Sequence, residues 1–217
     1  MRCTVGMLLA IAAIGLLTAT AGAQEKKGQT IDLFNGKDFT GWTFHLREPD
    51  KKLEDVWSVA DGVITCKGKP AGYIRTEKDY TNYILELDWR FDPAKGPGNS
   101  GVLLRMVGRD KVWPKSIEAQ LASQNAGDIW NIDMFLMDVA EDRTQGRRTT
   151  KMKPTNEKPL GEWNHYKITL AGHDLTLEVN GEVQNTATEV EEVPGKICLQ
   201  SEGAEIQFRN IRLTPLE

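Results

Sequence analysis

The segment Tyr83-Ile84-Leu85-Glu86-Leu87-Asp88-Trp89-Arg90-Phe91 decides the fold class of this 217-residue chain. Its apolar residues occupy every second position and its charged residues occupy the positions between them. A period of two places successive side chains on opposite faces of a strand, so one face is buried and the other is in contact with water. The pattern is typical of a half-buried strand in an antiparallel sheet.

Other segments repeat this alternation, and turn signals separate them. Asp61-Gly62 and Asn180-Gly181 each stand between two strand-like runs, as expected for tight hairpins. The polar stretch from Val139 to Leu160 is predicted to be a long surface loop. Many short strands with turn signals predict an all-β protein, a concanavalin-like β-sandwich or jelly roll of two antiparallel sheets.

The amino terminus has the layout of an export signal. Arg2 precedes an apolar run from Met7 to Leu17, and Ala21-Gly22-Ala23 forms a small-residue cleavage site. The run is too short to cross a bilayer, which favours a cleaved signal peptide over a membrane anchor. We therefore expect a signal peptide at 1–23, a linker at 24–28, one domain at 29–217, and a periplasmic or secreted protein without a stable membrane span.

Charge and cysteine content restrict the function. The formal net charge of −4 argues against a nucleic-acid partner, because such proteins present a basic surface to phosphates. Cys66 and Cys198 are the two cysteines of the expected mature chain. They can pair in an oxidising compartment, but two buried thiols are the favoured alternative.

Several strings, taken in order along the chain, resemble the 3-keto-disaccharide hydrolase domain family. They are Leu33–Trp42, Gly98–Arg105, Ile117–Gln120, Gly161–Asn164, Val179–Gly181, Leu199–Gly203 and Phe208–Ile211. The resemblance covers nearly the whole expected mature chain. It implies a concanavalin-like jelly roll and an exported enzyme that acts on glycosides oxidised at carbon 3, with a small glycoside or oligosaccharide as partner. This chain has Glu202 where many relatives carry His.

Glu118 and Gln120 are the first candidates for catalysis and substrate binding. They stand two apart on a predicted strand and so share a face, where Glu118 can move protons and Gln120 can bind sugar hydroxyls. The alternative is an ordinary solvated strand face. If Glu118 is not the base, Asp128 or Glu202 is the next candidate.

Arg105 and Asn99 are candidates for binding sugar oxygens or an enolate oxygen, since a guanidinium offers a fixed fork of donors. Structural alternatives are turn chemistry around Asn99 and a buried ion pair for Arg105. Asp128 and Trp130 follow Gln120 and are candidate substrate-binding residues. Trp130 can stack on a sugar ring or simply pack beneath the long loop.

No spacing of His or Cys resembles a zinc site, but a divalent metal could replace Arg105 as electrophile. Glu86 and Asp88 have the spacing of two acids in laminarinase-type glycosidases. The third acid would fall at Phe91, so these two residues are interpreted as a structural or rim cluster. A noncatalytic carbohydrate-binding module is the alternative to an enzyme. The sequence leaves the sugar, the linkage and the oligomeric state open.

Overall fold

The computed structural model describes residues 26–217. The predicted signal peptide at 1–23 and the first two residues of the predicted linker lie outside the described residues. Gly28, the last residue of that linker, donates its backbone N–H to the carbonyl of Pro215. No helix among the described residues is long and apolar enough to span a membrane.

Two antiparallel sheets form a β-sandwich, as the alternation predicts. Sheet I contains β1 (Ile31–Asp32), β3 (Trp57–Ala60), β4 (Val63–Cys66), β6 (Tyr83–Phe91), β12 (Asn164–Ala171), β13 (Asp174–Val179), β14 (Glu182–Ala187) and β16 (Ile206–Pro215). Their order is β14-β13-β12-β6-β16-β4-β3, and β1 pairs with β16.

Sheet II forms the second layer and carries the candidate site. It contains β2 (Trp42–Leu46), β5 (Gly72–Thr76), β7 (Gly101–Val107), β8 (Lys115–Gln120), β9 (Ile129–Ile132), β10 (Thr144–Gln145), β11 (Arg148–Thr149) and β15 (Lys196–Ser201). Their order is β10-β11-β9-β8-β7-β15-β5-β2. The short helix α1 (Leu53–Val56) leads into β3, and a 3-10 turn spans Glu141–Arg143.

The stretch predicted as one long loop, Val139 to Leu160, is only partly irregular. It contains the 3-10 turn and the small hairpin of β10 and β11, which extends sheet II beyond β9. These strands have two residues each, too few for an alternation pattern to be visible in the sequence.

The alternating apolar residues meet between the two sheets. Tyr83, Leu85, Leu87 and Trp89 of β6 are fully buried in one core cluster that also contains Ile117 of β8. The predicted hairpin turns are present, since Asp61-Gly62 and Asn180-Gly181 have positive φ at both residues. This is the turn geometry that joins two twisted antiparallel strands most directly.

A smaller apolar cluster lies on the other face of sheet II. Its members are Tyr73, Leu103, Met106, Ile132 and Cys198. Cys198 therefore belongs to the outer face of one sheet, whereas Cys66 belongs to the core cluster. Both are free, buried thiols, which confirms the favoured alternative to a disulfide.

Candidate functional site

A pocket of about 200 Å³ opens on the outer face of sheet II. Strand alternation creates it, because Ile117 and Ala119 of β8 point into the core and leave Glu118 and Gln120 on the opposite face. Four of the six predicted site residues line the pocket: Asn99, Glu118, Gln120 and Trp130. Its other lining residues are Trp113, Ile132, Arg147 and Glu202.

Glu118 is the buried carboxyl group of this pocket, with 5% of its surface exposed. In the sheet it stands opposite Leu103 on one side and Trp130 on the other. Burial, and secondly the negative charge of Glu202, raise the pKa of Glu118 to about 8. Its Oε1 has no hydrogen-bond partner among the described residues. The environment therefore makes Glu118 a stronger base than an ordinary carboxylate.

Gly101 provides the space that Glu118 occupies. A Cβ atom at position 101 would lie 2.4 Å from Oε1 of Glu118 and 2.7 Å from Oε1 of Gln200. Any larger residue would push these two side chains away from the floor of the pocket. Glycine is required at position 101 because the side chains of Glu118 and Gln200 approach its backbone closely, and not because of its backbone conformation.

Gln120 is held in a fixed orientation by its own backbone neighbourhood. Its side-chain oxygen accepts hydrogen bonds from the backbone N–H groups of Leu121 at 2.9 Å and Ala122 at 3.0 Å. Because the amide oxygen is engaged there, the amide NH₂ is the end that remains to donate to a ligand. Gln120 is thus preorganised as a hydrogen-bond donor.

Several buried polar atoms without partners lie in this pocket or next to it, and others lie elsewhere in the described residues. Among the described residues, the atoms at the pocket include Oδ1 of Asn99, Oε1 of Glu118, Nε1 of Trp130 and both amide atoms of Gln200. Leaving such atoms unpaired is costly, so sites that contain several of them usually bind a polar ligand. The mixture of acceptors and an indole donor suits hydroxyl groups, which both donate and accept.

Arg147 supplies the positive charge of the pocket. It lies in the turn between β10 and β11, where the positive φ of Gly146 helps to close the hairpin. Its guanidinium lies 5.8 Å from the centre of the Trp130 ring, within cation–π range. Its charge also lowers the pKa of Glu118, against the larger effect of burial.

Glu202 is the second carboxyl group that lines the pocket. Burial raises its pKa, and the positive charge of Arg47 acts in the opposite direction. Two carboxyl groups in one pocket disfavour each other's ionised form. Glu202 therefore helps to set the proton affinity of Glu118.

Arg105 does not line this pocket, and its expected role in binding substrate oxygens is corrected here. The side chain is fully buried. Its guanidinium donates to the backbone carbonyls of Thr81, Glu191 and Gly172 at 2.8–3.1 Å, and to the side-chain oxygen of Asn82 at 3.1 Å. A guanidinium with its donors occupied in this way fastens three chain segments together. Arg105 is therefore a buried structural residue, as the alternative interpretation held, but its partners are mainly backbone carbonyls and not a carboxylate.

Asp128 also lies outside the residues that line the pocket, and its expected role as a sugar ligand is corrected in the same way. Its Oδ2 accepts a hydrogen bond from Nε of Arg148 at 2.7 Å, and its Oδ1 accepts one from the backbone N–H of Lys151 at 2.8 Å. The carboxylate is buried, so this ion pair anchors β11 and the segment after it.

The cluster at Glu86 and Asp88 lies on sheet I, away from the pocket. Asp88 accepts hydrogen bonds from Arg209 at 3.2 Å and Asn210 at 2.7 Å, and it contacts Nδ1 of His165 at 2.9 Å. Its oxygens are fully engaged by side chains of β12 and β16. The interpretation as a structural charge cluster agrees with these contacts.

No group of three or more His, Cys, Asp or Glu residues within 26–217 is placed to hold a metal ion. Of the residues that the structure describes, the acidic side chains that line the pocket are Glu118 and Glu202, and Asn99 offers a further oxygen ligand.

Three lining residues were not indicated by the sequence: Ile132 of β9, and Trp113 and Arg147, which lie outside the strands. Trp113 lies in the connection between β7 and β8, and Arg147 lies inside the stretch predicted as a loop. Neither belongs to an alternating strand, so periodicity gave no signal for them. Glu202 follows β15 directly; the sequence indicated it as a departure from the family pattern and as a candidate base in reserve.

Comparisons with known proteins agree with a carbohydrate-active jelly roll. The sequence profile of the 3-keto-alpha-glucoside-1,2-lyase-like domain matches residues 29–214. A 3-keto-disaccharide hydrolase of Bacteroides thetaiotaomicron is 26% identical over 155 residues, which cover 64% of this chain and 51% of that protein. The chain thus spans about half the length of this relative.

Solved structures share the fold. A protein of Parabacteroides distasonis, assigned provisionally as a glycosyl hydrolase, is 25% identical with a TM-score of 0.62, and the match covers 87% of this chain and 94% of that one. A β-glucanase of Bacillus licheniformis has a TM-score of 0.58 at 13% identity, covering 88% of this chain and 99% of its own. At that identity the likeness concerns the fold alone.

Proposed function

Because this chain belongs to the family of 3-keto-alpha-glucoside-1,2-lyase-like domains, we propose that its pocket cleaves glycosides whose sugar carries a ketone at carbon 3. The observation that carries the proposal is the buried Glu118 carboxyl group with a pKa raised to about 8. A base of this strength is suited to removing a proton from carbon next to a carbonyl group. Glu118 lies among buried polar atoms that have no hydrogen-bond partner within residues 26–217 and can pair with hydroxyl groups.

The reaction begins at carbon 2, whose proton the neighbouring ketone acidifies. The Glu118 carboxylate takes this proton, and the C–H electron pair forms the enolate of the ketone. The enolate then re-forms the carbonyl group, a double bond forms between carbons 1 and 2, and the aglycone leaves carbon 1 with the electron pair of the C–O bond. The aglycone oxygen takes up a proton from solvent. Addition of water across the new double bond completes a net hydrolysis.

Arg147 is the group that we assign to the developing enolate oxygen, in place of Arg105. Among the described residues, it is the cationic one that lines the pocket. A fixed positive charge near the place where negative charge develops lowers the barrier more than it stabilises the bound ketone. Arg147 thereby supplies the positive charge that a divalent ion would otherwise supply.

The remaining lining residues hold the sugar. The Gln120 amide donates, the Asn99 oxygen accepts, and the indole of Trp130 offers both an N–H donor and a ring face. These groups sit on or beside the strands of sheet II, a rigid support for a small ligand. A second carboxyl group in the position of a nucleophile is not required by this chemistry, in contrast to retaining glycosidases.

Aglycone release tests the proposal directly. Purified protein is incubated with a 3-keto-glucoside and, separately, with the unoxidised parent glucoside. We expect release from the oxidised compound only, and loss of at least about a hundredfold in rate with Glu118→Gln, the usual contribution of a positioned base. Release from neither compound, with equal binding of both, would support a carbohydrate-binding module instead.

We also propose that the protein works outside the cytoplasm, in the periplasm or after secretion. The support is the sequence of residues 1–23, with its apolar run and the small residues before Gln24. Mass spectrometry of exported protein is expected to give Gln24 as the first residue. Recovery of exported protein that retains residues 1–23 would contradict the proposal.

A further inference from the structure

An exposed apolar loop borders the catalytic pocket. Met134 is 83% exposed and Leu136 is 63% exposed, although large apolar side chains are usually covered. Together with Trp113 they line a cavity of about 610 Å³. Exposed apolar surface of this kind, next to polar groups, marks ligand sites more often than it occurs by chance.

This cavity adjoins the candidate pocket. Trp113, Ile132 and Arg147 line both of them. A ligand that places its sugar beside Glu118 can extend a substituent along these shared residues to the apolar loop. The adjoining cavity would then hold another part of the same molecule.

Hydrogen bonds and an ion pair fix the conformation of this exposed loop. Asn131 receives a hydrogen bond from the backbone N–H of Phe135 and donates one to the carbonyl of Phe135, both at 2.8 Å. Phe135 itself is buried, and Asp133 pairs with Lys111 at 2.7 Å. The loop therefore presents Met134 on a fixed support.

The backbone conformation of the loop also indicates a ligand site. Asp133 and Met134 have φ values of +56° and +54°, in the left-handed region that side chains other than glycine rarely adopt. Such conformations persist where the surrounding contacts enforce them, and they cluster at ligand sites. Here the strained pair directs an apolar side chain outward, beside the pocket.

We infer that this loop and Trp113 form the aglycone site, and that the enzyme acts on glycosides with an apolar, aromatic aglycone; the inference rests on the proposed function. Methionine and leucine side chains pair with no hydroxyl group, so a second sugar would gain little from them. An aromatic ring would instead cover them and Trp113. Methionine is adaptable and makes favourable contacts with aromatic rings.

The charges around the cavity fit the same class of aglycone. Among the described residues, its acidic lining residue is Asp133, which is paired with Lys111 and has a lowered pKa, mainly through that hydrogen bond. Asp133 is therefore not suited to protonate a departing oxygen. A phenolate leaves carbon 1 with the C–O electron pair without prior protonation far more readily than an alkoxide does, and it takes its proton from water afterwards.

Two matched substrates and three proteins test the inference. The substrates are phenyl and methyl 3-keto-glucosides of the same anomeric configuration. The proteins are the wild type, the double variant Met134→Gln/Leu136→Asn, and the control Met152→Gln, which changes an exposed methionine outside the cavity. We expect kcat/KM for the phenyl substrate to fall about tenfold or more in the double variant only, the scale of lost apolar contact in a binding pocket. The methyl substrate is expected to be unaffected.

Calorimetric titration provides a readout that does not depend on turnover. The unoxidised phenyl and methyl glucosides are titrated into the same three proteins. Wild type and Met152→Gln are expected to bind the phenyl compound more tightly and with a more negative heat-capacity change, and the double variant is expected to lose both differences.

The outcomes separate the two proposals. Turnover with no difference between wild type and double variant on the phenyl substrate would overturn the aglycone site and leave the proposed function standing. A phenyl preference in binding that the double variant loses, without turnover of either 3-keto substrate, would overturn the function and retain the site. Equal binding of both glucosides by the wild type would overturn the aglycone site even if turnover occurs.

Discussion

Glu118 is a carboxyl group that the fold keeps out of water beside a second carboxyl group. As a base it must be ionised before it can take the carbon 2 proton, so kcat/KM is expected to rise with pH and level off above an apparent pKa near 8. The measurement is the pH profile of kcat/KM on a 3-keto-glucoside. A profile that is flat between pH 6 and 9 would contradict a base of this kind at position 118.

Glu202→Gln is expected to move this rising limb to lower pH. Removing the negative charge of Glu202 favours the ionised form of Glu118 and so lowers the pKa of Glu118. The result to measure is the position of the limb and not the height of its plateau. A limb that stays in place would show that the two carboxyl groups do not interact.

The raised pKa of Glu118 also has a cost in stability. A carboxyl group whose pKa is about 8 in the folded state and 4.5 when unfolded keeps its full contribution to stability below pH 4.5 and loses it as the pH rises to about 8. The Glu118→Gln variant has no ionisable group at this position, so its stability does not fall in this way as the pH rises. It should be more stable than the wild type above pH 8, by at most about 5 kcal/mol at 1.36 kcal/mol for each pH unit between the two values.

Thermal unfolding of the two proteins at pH 4 and pH 9 tests this expectation. The difference in melting temperature between Glu118→Gln and wild type is expected to increase from pH 4 to pH 9. An equal difference at both values would mean that Glu118 titrates normally and that burial does not hold its proton.

At the scale of elements, the site is made by three adjacent strands of sheet II, β7, β8 and β9. Gly101 of β7 lies beneath the Glu118 and Gln200 side chains, and Gly101→Ala is expected to displace them. A shift of about 1 Å at a catalytic group costs about a hundredfold in rate, so activity should fall by that order while circular dichroism remains unchanged.

Gly28→Ala is the matched control for Gly101→Ala. Its Cβ atom would make an ordinary contact of 3.4 Å with Pro215, far from the pocket, and its backbone requires no positive φ. The control is expected to keep full activity. Full activity of Gly101→Ala as well would show that the observed position of Glu118 is not needed for catalysis.

Strand alternation was enough to predict the longer strands and the placement of two pocket residues. The period of two in β6 identified the sandwich, and the same period correctly assigned Glu118 and Gln120 to a face opposite Ile117 and Ala119. The family resemblance then singled out these two residues from other solvated strand faces.

The error at Arg105 has a local cause in the backbone. By parity this residue would share the outer face of Leu103, but the pairing of β7 with β8 shifts register between Leu104 and Val107, and Arg105 has a φ of +46°. A bulge of this type turns a side chain away from the direction that alternation predicts. The carbonyls that accept hydrogen bonds from Arg105 belong to segments that are distant in sequence. No local sequence pattern indicates these contacts.

Arg147 and Trp113 illustrate a second limit. Both enter the pocket from connections whose course is set by tertiary contacts, such as the Asp128–Arg148 ion pair that anchors β11. These two residues are close in the folded structure, but the spacing between them in the sequence does not indicate that they meet. Such residues become candidates only when the fold is known.

At the scale of the whole molecule, the sandwich of residues 26–217 leaves Cys66 and Cys198 as free, buried thiols. Cys66 lies in the core and Cys198 on the outer face of sheet II, and burial raises the pKa of Cys66 to about 12. We expect no reaction of the folded protein, residues 24–217, with a thiol reagent, and the release of two reactive thiols on denaturation. A melting temperature that falls under reducing conditions would instead reveal a disulfide.

The central claim is that a proton leaves carbon 2 of the sugar and that Glu118 removes it. Proton NMR of a 3-keto-glucoside in D₂O, incubated with the wild-type protein, measures this directly. We expect the carbon 2 proton to be absent from the released sugar, whether the product stays unsaturated or has added D₂O, and we expect Glu118→Gln to slow this loss at least about a hundredfold. A released sugar that keeps its carbon 2 proton would contradict the account, because cleavage would then have occurred without an enolate.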